Sequence, residues 1–206
     1  MLQHQINISE RNDYANMAGK KTKILSKEEF DLITCTMAQG CTLKDGQKVR
    51  PNYKMAMVLI LQANLGLRLG QVLKLHLTDF EKQENDYTLR IIENNKNKTI
   101  IVPKDIITII ENYYKELGLK STQRMFNFTE RAVQIHLQKI CTFLNIEDIC
   151  TQSFRKFFAY KIYDNNPKNI SILQQILQLS SRKTTENLLV DKIRENITLP
   201  FKMTND

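Results

Sequence analysis

The chain has 206 residues, 42% hydrophobic and 25% charged, a balance that excludes wholesale disorder and allows one domain with a sizeable core. Lys and Arg number 30 against 22 Asp and Glu, leaving a formal charge of +8 and a pI near 9.3, which points to a polyanionic partner, DNA or RNA. No apolar run approaches the ~20 residues that span a bilayer, and Met1-Leu2-Gln3-His4-Gln5 has neither the basic nor the apolar region of a signal peptide. A cytoplasmic protein with no membrane contact is therefore expected. Cys35, Cys41, Cys141 and Cys150 show no C-x-x-C spacing and no paired histidines. They read as small hydrophobes in a reducing compartment, with no metal and no cofactor expected.

Residues 1–25 are polar, lack apolar periodicity and approach their end in Lys20-Lys21-Thr22-Lys23, so a flexible N-terminal arm is expected there. Ser26-Lys27-Glu28-Glu29 spells a capping box and opens a helix whose Phe30, Leu32, Ile33 and Met37 form the predicted buried face. Residues 40–50, with two glycines and mixed charge, read as a loop, and Pro51 suits a first helical turn. Met55-Ala56-Met57-Val58-Leu59-Ile60-Leu61 is apolar nearly all round, as in a central buried helix. Gly66 breaks it, and a short helix follows.

The period then changes. Tyr87-Thr88-Leu89-Arg90-Ile91-Ile92 and Thr99-Ile100-Ile101-Val102 flank a basic polar tip, Glu93 to Lys98, and predict a hairpin. Pro103 opens a helix with Ile106, Ile107, Ile110 and Tyr114 on one face, ending at Gly118. Further helices are expected over 128–144, 152–165, 169–179 and 182–196. The result is a mainly α chain with one small antiparallel β-sheet, with a single domain over 26–196 and a tail at 197–206.

Two segments carry a resemblance. Ala63-Asn64-Leu65-Gly66-Leu67-Arg68-Leu69-Gly70-Gln71 and Thr151-Gln152-Ser153-Phe154-Arg155-Lys156 resemble the two arginine motifs of the tyrosine recombinases (phage integrases). The basic hairpin, the Pro-initiated helix and a Leu-x-x-Ser-Ser segment fall between and after them in that family's order. The resemblance implies the recombinase catalytic-domain fold and assigns Arg68 and Arg155 to the non-bridging oxygens of a DNA phosphate, a task that suits the guanidinium fork. It assigns a hairpin lysine, Lys96 or Lys98, with the choice open, and places Lys156 in the same phosphate-binding set.

The family's remaining positions are substituted. Gln71 stands where an acidic brace is expected, Gln152 and Leu179 where proton-handling side chains are expected, and Leu188 where the tyrosine nucleophile is expected. Leucine has no group that attacks phosphorus, and glutamine has no pKa near neutrality. Tyr160 and Tyr163 share a helix with Arg155 but point away from its face, Ser180 and Ser181 have no candidate base, and His4, His76 and His136 fit no motif position. The expectation is therefore a chain that is not an enzyme: a catalytically inactive, recombinase-like binder of double-stranded DNA that regulates a phage or mobile element as repressor or recombination modulator. A homodimer through the C-terminal tail, or a partner recombinase, would add the phosphate contacts that a short chain lacks. The alternatives are an active recombinase with a relocated or trans-supplied nucleophile and a protein–protein interaction module.

Overall fold

The computed structural model describes residues 22–84, 86–93, 96–165, 170–177, 179 and 181–197. The expected arm up to residue 21 and the expected tail from residue 198 lie outside them.

Helix α1 (Lys27–Gln39) starts as its capping box dictates. The Ser26 hydroxyl accepts from the Glu29 N–H at 3.1 Å, and the Glu29 carboxylate accepts from the Ser26 N–H at 3.0 Å. It buries Ile33 and Met37, and also Thr34, whose hydroxyl donates back to the Phe30 carbonyl. Leu32, expected in the buried face, is instead 49% exposed, because the buried stripe runs over Ile33, Thr34 and Met37 and Leu32 lies about 150° round the helix from its centre.

The segment expected to be a loop holds a two-residue antiparallel pair, β1 (Cys41–Thr42) and β2 (Lys48–Val49). Strands this short leave no period to read in the sequence. Helix α2 (Tyr53–Leu65) is capped by Asn52, so Pro51 precedes the cap and is not part of the first turn. Met55 through Leu59 are buried without interruption, as the apolar run predicts.

After α3 (Leu69–Val72) and a 3₁₀ turn at Leu77–Asp79, a three-stranded antiparallel sheet forms in the order β3-β4-β5. Strands β4 (Tyr87–Glu93) and β5 (Lys96–Val102) are the predicted hairpin, paired from Tyr87↔Val102 to Glu93↔Lys96. Strand β3 (Phe80–Lys82) was not expected, since its three residues carry no alternation.

Helix α4 (Lys104–Glu116) buries Ile106, Ile107, Ile110 and Tyr114 as predicted, and also Tyr113. The Tyr113 hydroxyl donates to the Met125 carbonyl at 3.1 Å. Helix α5 (Glu130–Leu144) is capped by Thr129 and closed by Asn145 in the left-handed region. Helices α6 (Thr151–Asn165), α7 (Ile170–Leu177) and α8 (Arg182–Ile197) follow among the described residues.

The architecture is mainly helical with small antiparallel sheets, and among the described residues the buried apolar side chains form two clusters. The larger gathers α1–α5 with Phe154 and Phe157 of α6. The smaller joins Ala159 of α6 to Leu173 and Leu177 of α7, Leu189 of α8 and Ile24. Helix α6 is the wall shared by both. No helix among the described residues is long and apolar enough to cross a membrane.

Candidate phosphate-binding site

Arg68 owes its position to its neighbours. Leu67 and Leu69 are buried to 1% and 5% exposure and anchor the turn, while Arg68 between them is exposed at the N-cap of α3. Its carbonyl accepts from the N–H groups of Gln71 and Val72. Gln71, at the position of the expected acidic brace, uses its side-chain oxygen to accept from the Arg68 backbone N–H at 2.8 Å. It therefore holds the turn through a neutral amide.

Gly66 sets where that turn lies. It closes α2 with φ +65°, a left-handed conformation that favours glycine. A Cβ at this position would meet the ring of Phe158 well inside the 3.0 Å that real Cβ atoms keep, with Cζ at 3.1 Å. The Arg68 turn thus rests on the helix that carries Arg155.

Arg155 is 5% exposed, and its Nη2 donates to the Leu177 carbonyl at the end of α7. That carbonyl belongs to the last helical turn, whose oxygens lack intrahelical donors and carry partial negative charge. Lys156, 9% exposed, donates through Nζ to the Thr22 carbonyl. The segment around Thr22 is held twice more, by the Lys23 N–H on the Asp148 carbonyl at 3.0 Å and the Lys23 ammonium on Glu29 at 2.6 Å.

The hairpin brings Lys96 opposite Glu93 and Lys98 opposite Ile91 in backbone register; their side chains lie outside the described residues. Gln152 is exposed on the first turn of α6. Leu179 donates its N–H to the Gln174 carbonyl at 3.0 Å and packs at the edge of the smaller cluster. Leu188 packs against the same cluster beside fully buried Leu189.

Tyr160 and Tyr163 also pack against that cluster. Among the described residues no group of three His, Cys, Asp or Glu side chains could hold a metal. Burial raises the Cys141 thiol to about 12, so it is inert at neutral pH. The backbone partners of Arg155 and Lys156 left no trace in the sequence, because any residue supplies a carbonyl.

No protein-family model matches the chain, and no curated protein sequence does. Solved structures do. A XerH site-specific recombinase bound to palindromic difH substrate superposes with a TM-score of 0.64 at 16% identity, over 94% of this chain and 56% of that one. The XerA recombinase superposes at 0.63 and 16% identity, over 90% and 69%. The catalytic domain of bacteriophage HP1 integrase superposes at 0.57 and 14% identity, over 90% and 99%. The chain spans about half the length of the XerH chains, 56% and 53% in two complexes.

This comparison overturns the expectation that the chain is not an enzyme: the proteins that share the fold are site-specific recombinases and integrases, which are enzymes. That expectation rested on the residue types at four register positions, Gln71, Gln152, Leu179 and Leu188. A substituted register position does not by itself decide the chemistry that a fold supports. The described chain has the catalytic-domain fold of the tyrosine recombinases.

Proposed function

We propose that the chain binds the phosphate backbone of duplex DNA and acts in site-specific recombination on a phage or other mobile element, occupying recombination or operator sites to control strand exchange or transcription. The observation that carries this reading is the close approach of Gly66 to Phe158, which seats the Arg68 turn on the Arg155 helix. Segments 87 residues apart (155 − 68) thereby pack against each other, with Arg68 exposed on its turn and Arg155 buried on its helix.

The charge of +8 supports the reading, as does the basic hairpin tip with Lys96 and Lys98. Phosphate contacts position a protein on DNA without reading sequence, so both roles follow from the same residues. The XerH recombinase was solved bound to its difH substrate, and an integrase of the Tn1549 transposon of the same fold was solved in complex with a circular intermediate DNA. A second subunit, docked through the tail from residue 197, or a partner recombinase would add contacts through effective concentration. Strand transfer at this site needs an attacking oxygen that Leu188 does not have, so its nucleophile would come from another position or another subunit.

The test is equilibrium binding to duplex DNA across a salt series. Affinity should fall log-linearly as salt rises, and Arg68→Ala and Arg155→Ala should each weaken it. No binding to any genomic fragment at about 50 mM salt, where non-specific contacts are strong, sinks the proposal. A suicide-substrate assay run alongside reports strand transfer as a covalent protein–DNA adduct.

A further inference from the structure

Beside the Arg68 turn stands a carboxylate that the motif positions do not contain. Gly70 is on the first turn of α3, two residues after Arg68. A Cβ built there would lie 2.5 Å from Glu130 Oε1 and 3.4 Å from Glu130 Cδ. Glu130 comes from a distant part of the chain, as the first residue of α5, directly after its Thr129 cap. Glycine at 70 is what leaves room for the carboxylate to lie on the turn.

We propose that Glu130 is a positioning residue for Arg68, its carboxylate orienting the guanidinium so that the opposite edge faces a bound phosphate. This inference rests on the proposed DNA binding. Three observations support it. First, Arg68 and Gly70 are two residues apart, and the arginine side chain reaches roughly 6 Å from its Cα, enough to meet an anion lying over Gly70. Second, a guanidinium offers five donors in a planar fork, so one edge can hold a carboxylate while the other grips an anion. Third, the nearest side chain along the chain, Gln71, is engaged with the Arg68 backbone N–H and is neutral, so it supplies no charge.

The proposal is separable from plain electrostatics by its sign. A carboxylate beside a phosphate site that does nothing but repel DNA weakens binding, and removing it tightens the complex. A carboxylate that orients the arginine does the reverse.

The experiment uses the full chain and a mixed-sequence duplex of about 30 base pairs at about 50 mM salt. Glu130→Gln should weaken binding about fivefold or more, the size expected for coupled neighbours. Glu130→Asp should recover part of the loss. In an Arg68→Ala background, Glu130→Gln should have no further effect. Gly70→Ala should reproduce the Glu130→Gln loss with its fold intact, because the new methyl meets only the far end of a flexible side chain. Urea midpoints confirm that each variant is folded. Equal or tighter binding by Glu130→Gln, or a loss that persists without Arg68, overturns the inference and leaves the DNA-binding proposal standing. No binding by the unsubstituted chain overturns both.

Discussion

Gly66, which closes α2, lies so close against the ring of Phe158 on α6 that no side chain fits between them. Two independent demands meet at this glycine, a left-handed backbone and a vanishing gap. Gly66→Ala should therefore lower stability by about 2–4 kcal/mol, combining left-handed strain with overpacking. In a Phe158→Ala background the same change should cost only about 1 kcal/mol, the backbone part. Urea denaturation of the four proteins measures both, and DNA affinity should fall with Gly66→Ala as the Arg68 turn shifts.

The two arginines should separate in stability. Arg155 is buried on the Leu177 carbonyl, so Arg155→Ala should cost about 1–3 kcal/mol by leaving a buried acceptor without its donor. Arg68 is exposed, and Arg68→Ala should stay within about 0.5 kcal/mol of the parent. Denaturation midpoints check this, beside a loss of DNA affinity in both.

The lysines should separate in salt dependence. Lys156 donates to the Thr22 carbonyl from a position only 9% exposed, so Lys156→Met should cost about 1 kcal/mol and leave the salt slope of DNA binding unchanged. Removing Lys96 and Lys98 together should leave stability unchanged and reduce that slope by ~0.9 for each phosphate that is no longer neutralised. A salt titration of each variant reads the difference.

His136 should make stability depend on pH. Burial, then the nearby Lys139, lowers its pKa from 6.5, and its buried Nε2 has no hydrogen-bond partner among the described residues. The folded state thus resists a proton that the unfolded chain accepts. Its contribution is present above about pH 6.5 and is lost as pH falls below that value through the lowered folded-state pKa, since the unfolded state then binds more protons. Urea midpoints at pH 5.5 and 8 should differ more for the parent than for His136→Gln, with both pH values chosen to lie about one unit or more from the ordinary imidazole value.

Much of the local structure was legible along the chain because local energies set it. The Ser26–Glu29 box, the all-round apolar run of α2, the β-branched strands of the hairpin and the face of α4 each depend on residues within a few positions of one another. Strand β3 and the β1–β2 pair were not legible, since two or three residues have no period and gain their hydrogen bonds from a partner strand. Leu32 was misplaced because spacing marks a stripe but not its edge.

The sequence by itself determined the fold class, the order of the helices and the two arginines that the candidate site uses. Only the tertiary structure decided what those arginines meet. Gly66 touches Phe158 across 92 residues (158 − 66), Glu130 lies on Gly70 across 60 (130 − 70), and Lys156 reaches the Thr22 carbonyl across 134. Arg155 ends on a backbone oxygen that any residue would provide. Such pairings depend on how packed helices bring distant positions together, and neither residue of a pair carries a sign of the other in its own neighbourhood.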